Sequence, residues 1–312
     1  MRAATIVDGR IEVRDHPDPQ PGAGEVLVRV RAAGLNNADL LQAKGFYPAP
    51  PGVAADIPGM EVAGEVVAVG PNAYRFQPGH RVMAVIAGGG QAELAVVHER
   101  TLIPVPDTVD WPQAGGFPET FTTAHDALFT QCRLGLGERL LVSGGAGGVG
   151  TAAVQLGVAA GAHVTASVRN AGLRSDVAAL GAEVVDPADF VGAGPFDVVL
   201  ELIGAPNLPG DLEALRVGGR IVVIGVGAGA QAEVNLLSVM AKRASICGST
   251  LRARPLEGKA AAAMAVEHHV VPMLASGRIT VPVFATYPLD DVAAAYERFA
   301  AGGKLGKVVI TL

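Results

Sequence analysis

Cysteine is nearly absent from this 312-residue chain, with only Cys132 and Cys247, far apart in sequence. Two such residues supply neither a disulfide framework nor a four-cysteine metal lobe, so each reads as a small, inert apolar residue. Charge is also sparse, at 17% of residues. The formal net charge of -6 and pI near 5.6 offer no general attraction to phosphate backbones or anionic membranes, and no basic run makes a local exception. Nucleic acid and membrane are therefore not expected partners. The opening MRAATIVDGRIEV lacks the charged-then-apolar layout of a signal peptide. Its alternating apolar residues read as a first strand, and a cytoplasmic protein is expected.

Metal and nucleophile signatures are missing too. The histidines at 16, 80, 98, 125, 163, 268 and 269 form no C-x-x-C, H-E-x-x-H or similar set with their neighbours. His268 and His269 are adjacent on an expected helix, so their side chains diverge. There is no G-x-S-x-G elbow. Metal ligands are expected at none of these positions.

What the chain does have is apolar bulk and glycine. Half of its residues are hydrophobic, far from the composition of a disordered chain, and the length suits two domains. Up to about Phe117, short runs such as EVLVRVRAAGL, EVAGEVVAVG, HRVMAVIAGG and AELAVV alternate with Pro/Gly turns, which predicts a mostly β domain over residues 1–117. From residue 118 to 255 strand-length and helix-length segments alternate. RLLVSG (139–144), AHVTASV (162–168), FDVVLEL (196–202), GRIVVIG (219–225) and SICGST (245–250) predict a parallel sheet with crossovers. The tail, 256–312, predicts a helix with Leu289, Val292, Tyr296 and Phe299 on one face, then a strand in GKVVITL, returning to the first domain.

No Asp, Glu, Lys or Arg occurs from Leu140 to Val168, a stretch long enough to span a membrane. Its five clustered glycines would break one helix, so strand, turn and helix in succession fit better. In the helix, Val149, Ala153, Leu156 and Ala160 mark one apolar face. Gly145-Ala146-Gly147-Gly148-Val149-Gly150 is G-x-G-x-x-G directly after a strand and opening a helix, the context of a dinucleotide-binding turn. Without Cβ atoms, a pyrophosphate can approach the backbone where free N–H groups and the positive helix end favour an anion. Close helix–strand packing is the plainer alternative.

The end of the next strand normally reads the adenosine ribose: a carboxylate suits NAD, a cation the 2′-phosphate of NADP. That end is TASVRNAGLR, with Ser167, Arg169, Asn170 and Arg174, and no carboxylate before Asp176. NADPH is the expected cofactor. Ordinary surface charge is the alternative for both arginines.

GLNNADLLQAKGFYPAPPG (34–52), PGMEVAGEVVAVG (58–70), GGGQAELAVV (88–97), FPETFTTAHDAL (117–128) with GGAGGVGTAAVQL, and STLRAR (249–254) with GKVVITL occur in one order. In that ordered set the chain resembles the zinc-free quinone oxidoreductase branch of the medium-chain dehydrogenase/reductase superfamily. It is most similar to the tumour-suppressor-inducible quinone oxidoreductase subgroup. The resemblance implies an α/β fold, a Rossmann-type parallel sheet domain inserted in a GroES-like, mostly β catalytic domain completed by the tail, with the active site in the cleft. It implies an NADPH:quinone oxidoreductase acting on a small quinone or enone. An enone or enoyl-thioester reductase, and an NADPH-binding redox-sensing or structural protein with little turnover, are the alternatives.

Zinc-dependent relatives carry a cysteine and a histidine ligand where this chain reads Gly34-Leu35-Asn36 and Gly59-Met60-Glu61. By the resemblance, Asn36 and Tyr47 face the quinone, where each can donate a hydrogen bond to the acceptor carbonyl; a turn-forming asparagine and a tyrosine packed under the PAPPG loop are the alternatives. Thr123 lies near the nicotinamide in similar proteins, with helix capping as its alternative, and Val226 lines the nicotinamide side. The chain departs from the pattern in EVVDPADF, which lacks a tyrosine for the adenosine end, and in SVRNAG, which leaves Arg169 alone on the phosphate. SICGST is expected to be an open sheet edge and, with the resemblance, to support a homodimer.

Overall fold

A computed structural model describes all 312 residues. The chain forms two compact units: Met1–Thr122 with Leu251–Gly302 and Lys307–Leu312, and Thr123–Thr250 with Gly303–Gly306. Residues 118–122 and 251–255, grouped by sequence with the parallel-sheet segment, belong to the first unit. Local bonds explain this: the Glu119 N–H donates to Glu61, and Arg252 donates to the Ala87 carbonyl.

In the first unit, β1 (Arg2–Val7) and β2 (Arg10–Asp15) form an antiparallel hairpin. Sequence alternation suggested one strand here. Asp8 and Gly9, at φ 49° and 77°, split it with the two-residue left-handed turn whose twist suits a hairpin. The strands β3 (Glu25–Gly34), β4 (Glu61–Val69), β5 (Arg81–Val85), β6 (Leu94–His98) and β7 (Ile103–Pro104) belong to a seven-stranded sheet. β3 is its hub, pairing antiparallel with β4 and with β6. Irregularities between Leu27 and Val28 and between Val30 and Ala32 bend it. Val26, Val28, Val30, Val62, Val66, Val82 and Leu102 fill the resulting core.

The second unit carries β8 (Arg139–Ser143), β9 (His163–Ser167), β10 (Glu183–Val185), β11 (Phe196–Glu201), β12 (Leu215–Val223) and β13 (Ser245–Gly248). All pair in parallel, in the order β10-β9-β8-β11-β12-β13. Leu140, Leu141, Val142, Val198, Val199 and Leu200 are fully buried, as continuous apolar runs covered on both faces should be. Five of these strands are readable from sequence, whereas β10, with three residues, is too short for a periodic signal. Strand order reverses between β8 and β11, and ligands of open α/β sheets bind outside the carboxyl ends at such a point. The helix Gly148–Ala159 is buried all round from Gly150 to Gly157, beyond the single face expected.

Chain return to the first unit adds β14 (Val283–Pro288) and β15 (Lys307–Thr311); β15 pairs with β14 and, antiparallel, with β3. Between them the helix Val292–Ala300 presents Val292 and Tyr296, with Leu289 before it, to a second core containing Ile11, Leu35, Val308 and Ile310; Phe299 packs at its margin. No helix is long and apolar enough to cross a membrane.

The two cysteines, distant in sequence, are neighbours in the second unit. Both are free thiols, and burial, then the adjacent Cys247, push the Cys132 thiol up to about 12. Cys132 is therefore expected to stay unmodified by a thiol reagent at neutral pH until the protein is unfolded.

Asp211 lies beside Glu201 at the carboxyl end of β11 and is completely buried, with no hydrogen-bond donor on either oxygen. Glu201 instead accepts the Gly204 N–H at 2.7 Å and the Asn207 amide at 3.1 Å. Burial and the charge of Glu201 push the Asp211 carboxyl from its ordinary 3.8 up to about 9. A native group that keeps a proton the unfolded chain has lost makes stability fall as pH rises, here from about 4 until the proton leaves near 9, by up to ~1.4 kcal/mol per pH unit. Asp211→Asn should flatten that slope, measured as urea-unfolding free energy at several pH values in this window.

Candidate active site

The glycine turn sits at the carboxyl end of β8, in the second unit. Gly144 has φ 76°, and the turn is tied to the end of β9: the Gly145 N–H donates to the Ser167 carbonyl at 3.0 Å and the Gly144 N–H to the Ser167 hydroxyl at 3.4 Å. Ser167 is buried, so it holds the turn rather than presenting its hydroxyl to solvent. A Cβ on Gly150 would fall 2.3 Å from the Gly144 carbonyl oxygen, which enforces glycine there. Gly147 is different. It is exposed, and a Cβ would meet only one atom, at 3.6 Å, so the space outside it is open. Gly147 caps the helix without a side chain, and the N–H groups of Gly148, Val149 and Gly150 have no carbonyl one turn back. A backbone with outward donors and no side-chain obstruction fits a pyrophosphate.

At the end of β9, Arg169 is exposed and makes no hydrogen bond or ion pair. Arg174 is committed, donating to the Val168 carbonyl at 3.0 Å and pairing with Asp186. Its surface-pairing alternative is thus the arrangement found. The backbone N–H of Ala188 and then Arg174 hold the Asp186 carboxyl below its ordinary range. Asn170 accepts from the Gly172 N–H at 3.0 Å, capping a short turn. Val226 is 48% exposed just beyond β12. Thr123 is buried in the interior of the helix Pro118–His125, which removes the capping alternative. The adjacent Thr122 hydroxyl is buried without a partner. A surface hollow of ≈ 570 Å³ lined by Arg139, His163 and Glu183 lies at the opposite ends of these strands, away from the switch point.

Asn36 and Tyr47 belong to the first unit. Asn36 precedes the helix Asn37–Ala43, where its N–H donates to Asp39 Oδ2 at 2.8 Å. Its side-chain amide is fully engaged: Nδ2 donates to Glu61 Oε1 at 2.9 Å and to the Gly34 carbonyl at 3.3 Å, and Oδ1 accepts from Lys307 Nζ at 2.8 Å. The expectation that this amide polarises an acceptor gives way to an internal structural duty. Lys307 also donates to the Leu35 carbonyl at 2.8 Å and to Glu61 Oε1 at 2.6 Å, and the Glu119 N–H fills Glu61 Oε2 at 2.9 Å. Lys307 is 2% exposed and Glu61 fully buried. Gly34 must be glycine, because a Cβ would lie 2.4 Å from Glu61 Oε1. Burial pushes the nearby Asp39 carboxyl up to about 6, opposed by N–H donors from Asn36 and Gly59 and by Lys307.

These residues do not suit zinc. An ammonium already occupies Glu61, Asn36 and Met60 are poor ligands, and no group of three His, Cys, Asp or Glu residues is arranged to hold a metal ion.

Tyr47 is half-buried, and its hydroxyl makes no hydrogen bond within the protein. The buried Arg252 stacks its guanidinium 4.8 Å from the Tyr47 ring and donates to the Tyr47 carbonyl at 3.1 Å and to Gln42 Oε1 at 2.6 Å. Glu61, Lys307 and Arg252 all lie in the sequence blocks that carry the resemblance, yet their roles depend on partners 25 to 272 residues away.

Residues 22–107 match the alcohol dehydrogenase GroES-like domain, and residues 180–310 the zinc-binding dehydrogenase family. The chain is 31% identical to the quinone oxidoreductase of Rattus norvegicus and 32% to that of Homo sapiens, covering 94% of this chain and 91% of each relative. It is also 32% identical to a segment of a phenolphthiocerol/phthiocerol polyketide synthase from Mycobacterium tuberculosis, over 94% of this chain and 14% of that protein. An alcohol dehydrogenase superfamily protein from Novosphingobium aromaticivorans has a similar structure, with TM-score 0.89, 29% identity, and coverage of 100% of this chain and 99% of that one. A GroES-like unit with an all-parallel nucleotide sheet defines the class as two-domain α/β oxidoreductases. The chain belongs to the medium-chain dehydrogenase/reductase superfamily and is similar within it to the quinone oxidoreductases.

Lys307→Met should cost about 3–5 kcal/mol in urea unfolding, because it leaves the Glu61 charge buried and unpaired. Adding Glu61→Gln should recover part of that loss.

Proposed function

We propose that this chain is an NADPH-dependent reductase that delivers hydride to quinones or related conjugated carbonyls without zinc. The observation that carries the proposal is the open glycine turn at the sheet's switch point, with the unpaired Arg169 close behind it in the chain and the nearby Asp186 neutralised by Arg174. The N–H groups of Gly148, Val149 and Gly150 bind the pyrophosphate, Arg169 pairs with the 2′-phosphate, and Ser167 fixes the turn. Ala146, Asn170, Thr123 and Val226 line the remainder of the cofactor site. When bound, the reduced nicotinamide supplies the hydride. Tyr47 donates its free hydroxyl to the acceptor carbonyl as charge develops there, and Arg252 orients it. The quinol oxygen then takes its proton from water.

The likeness to a polyketide synthase segment favours a second reading, reduction of an enone or enoyl-thioester with the same cofactor. Loss of NADPH absorbance with an ortho-quinone, a para-quinone and an enone, offered separately, distinguishes the two; no loss with any of them would leave a non-catalytic NADPH-binding protein. Tyr47→Phe should lower kcat by roughly 10²-fold while leaving the NADPH Kd unchanged.

We also propose a cytoplasmic homodimer. β13 ends the parallel sheet with one edge unpaired, and Leu236, Leu237 and Met240 of the flanking helix are about 70% exposed. A second copy pairing at this edge would cover them. Light scattering should give twice the chain mass; a monomer at working concentrations rules the dimer out.

A further inference from the structure

We infer that Glu201 is a positioning residue of the cofactor site, holding in place the two loops beside the glycine turn with the help of a proton on Asp211; this rests on the NADPH reading above. All of the groups involved lie in the second unit. Glu201 ends β11, at the switch point, and is buried. Its Oε1 accepts the N–H groups of Ile203 and, at 2.7 Å, of Gly204, and its Oε2 accepts the Asn207 amide at 3.1 Å. Its main-chain carbonyl accepts from Ile224 at 2.9 Å and Gly225 at 3.2 Å, where the chain leaves β12. One residue therefore fastens both the loop after β11 and the loop after β12.

The loops are also locked to each other. The Ala205 N–H donates to the Gly229 carbonyl and the Ala228 N–H to the Ile203 carbonyl, both at 2.9 Å. Gly204 has φ 117°, and a Cβ there would fall 2.5 Å from the Gly229 oxygen and 2.8 Å from Val226 Cα. A Cβ on Gly225 would fall 2.2 Å from the Leu202 carbonyl oxygen. Toward β8, a Cβ on Gly144 would fall 3.0 Å from Ile203 Cδ1, so the loop pair borders the glycine turn. The path of Val226, which lines the cofactor site in that reading, is thus set by Glu201 through Ile203 and Gly204.

Asp211, in the helix Leu208–Ala214, completes the arrangement. It receives no donor on either oxygen, and when protonated it donates to Glu201. The other charged groups of the elements packed around it are committed elsewhere. Lys242 donates to the Glu213 and Leu215 carbonyls, Arg216 and Arg220 of β12 pair with Asp197 and Glu138, and Glu213 is exposed. The helix Phe190–Ala193 and the turn Ala205–Asn207 carry no charge. Glu201 is therefore the charged group that Asp211 meets. Burial and that neighbour keep the proton on Asp211 up to about 9. Its loss sets two buried anions side by side, which drives the Glu201 carboxylate away from the Ile203 and Gly204 N–H groups.

The test uses the full chain and two probes, NADPH and 2′,5′-ADP, which lacks the nicotinamide half, with binding followed by calorimetry at about pH 7.5 and about pH 10. At the higher pH roughly a tenth of the molecules keep the Asp211 proton, so the wild type should bind NADPH about tenfold more weakly there. Its affinity for 2′,5′-ADP should change by less than about twofold. Asp211→Asn, whose amide donates to Glu201 at either pH, should remove the alkaline loss. At the lower pH, Glu201→Ala should weaken NADPH by about tenfold and 2′,5′-ADP by less than about twofold, and Glu201→Gln, which keeps an acceptor for Ile203 and Gly204, should recover most of that loss. An alkaline loss that persists in Asp211→Asn, or that strikes 2′,5′-ADP as strongly as NADPH, overturns the inference. So does a wild type whose NADPH affinity is the same at both pH values, or a Glu201→Ala chain that binds NADPH as the wild type does. A wild type that binds neither probe at the lower pH removes the NADPH reading, and this inference with it.

Discussion

Lys307 and Glu61 meet out of reach of water, and the surrounding structure of the first unit is organised by the need to satisfy them. The ammonium has three acceptors, a carboxylate, an amide oxygen and a main-chain carbonyl, and the carboxylate has donors from two further residues. Burying two charges costs several kcal/mol per ion, which their attraction offsets only when the geometry is good and the remaining hydrogen-bonding positions are filled. That requirement fixes the start of β15, the start of β4 and the turn between β3 and the following helix. It also fixes smaller matters: Gly34 has no side chain because the pair fills that space, and the Asn36 amide is held inside the protein.

This arrangement changes the chemical character of the first unit. The Lys307 ammonium is the cation that occupies Glu61 Oε1, and the Tyr47 hydroxyl is left without a hydrogen-bond partner in the protein. Arg252 gives that tyrosine its support, with backbone and side-chain acceptors around the guanidinium in place of a carboxylate. Burial lowers the Arg252 pKa, and its guanidinium lies against the face of the Tyr47 ring. Tyr47 is thus placed by packing and by charge at the same time.

The second unit works largely through its backbone. The turn after β8 offers N–H groups because its residues have no bulk, and Ser167 anchors it from the neighbouring strand. Charge is then distributed by pairing: Arg174 is consumed by Asp186, and Arg169 is left over. The same strand ends hold the buried Asp211–Glu201 pair, in which one carboxyl stays protonated because neither water nor a cation reaches it. At this end of the sheet Asp186 is neutralised by Arg174 and Asp211 is protonated, while the buried Glu201 carboxylate is held by main-chain and amide N–H donors.

Sequence alone determined what local spacing and composition control. The apolar runs of five strands, the glycine spacing after β8 and the apolar face of the last helix follow from periodicity, and they define the α/β class and the nucleotide turn. The first hairpin reads as one strand because alternation continues across Asp8-Gly9, and β10 is too brief to show a period. Only the tertiary structure decided which polar groups are spent and which are free. Asn36, Ser167 and Arg174 read as available ligands in sequence and prove to be committed, while Arg169 and the Tyr47 hydroxyl remain unpaired. It also brought Lys307 to Glu61, Arg252 to Tyr47 and the Gly303–Gly306 segment to the glycine turn. Hydrogen bonds and ion pairs act over a few ångströms in space, and the partners here are separated by up to hundreds of residues along the chain, a distance that no local pattern records.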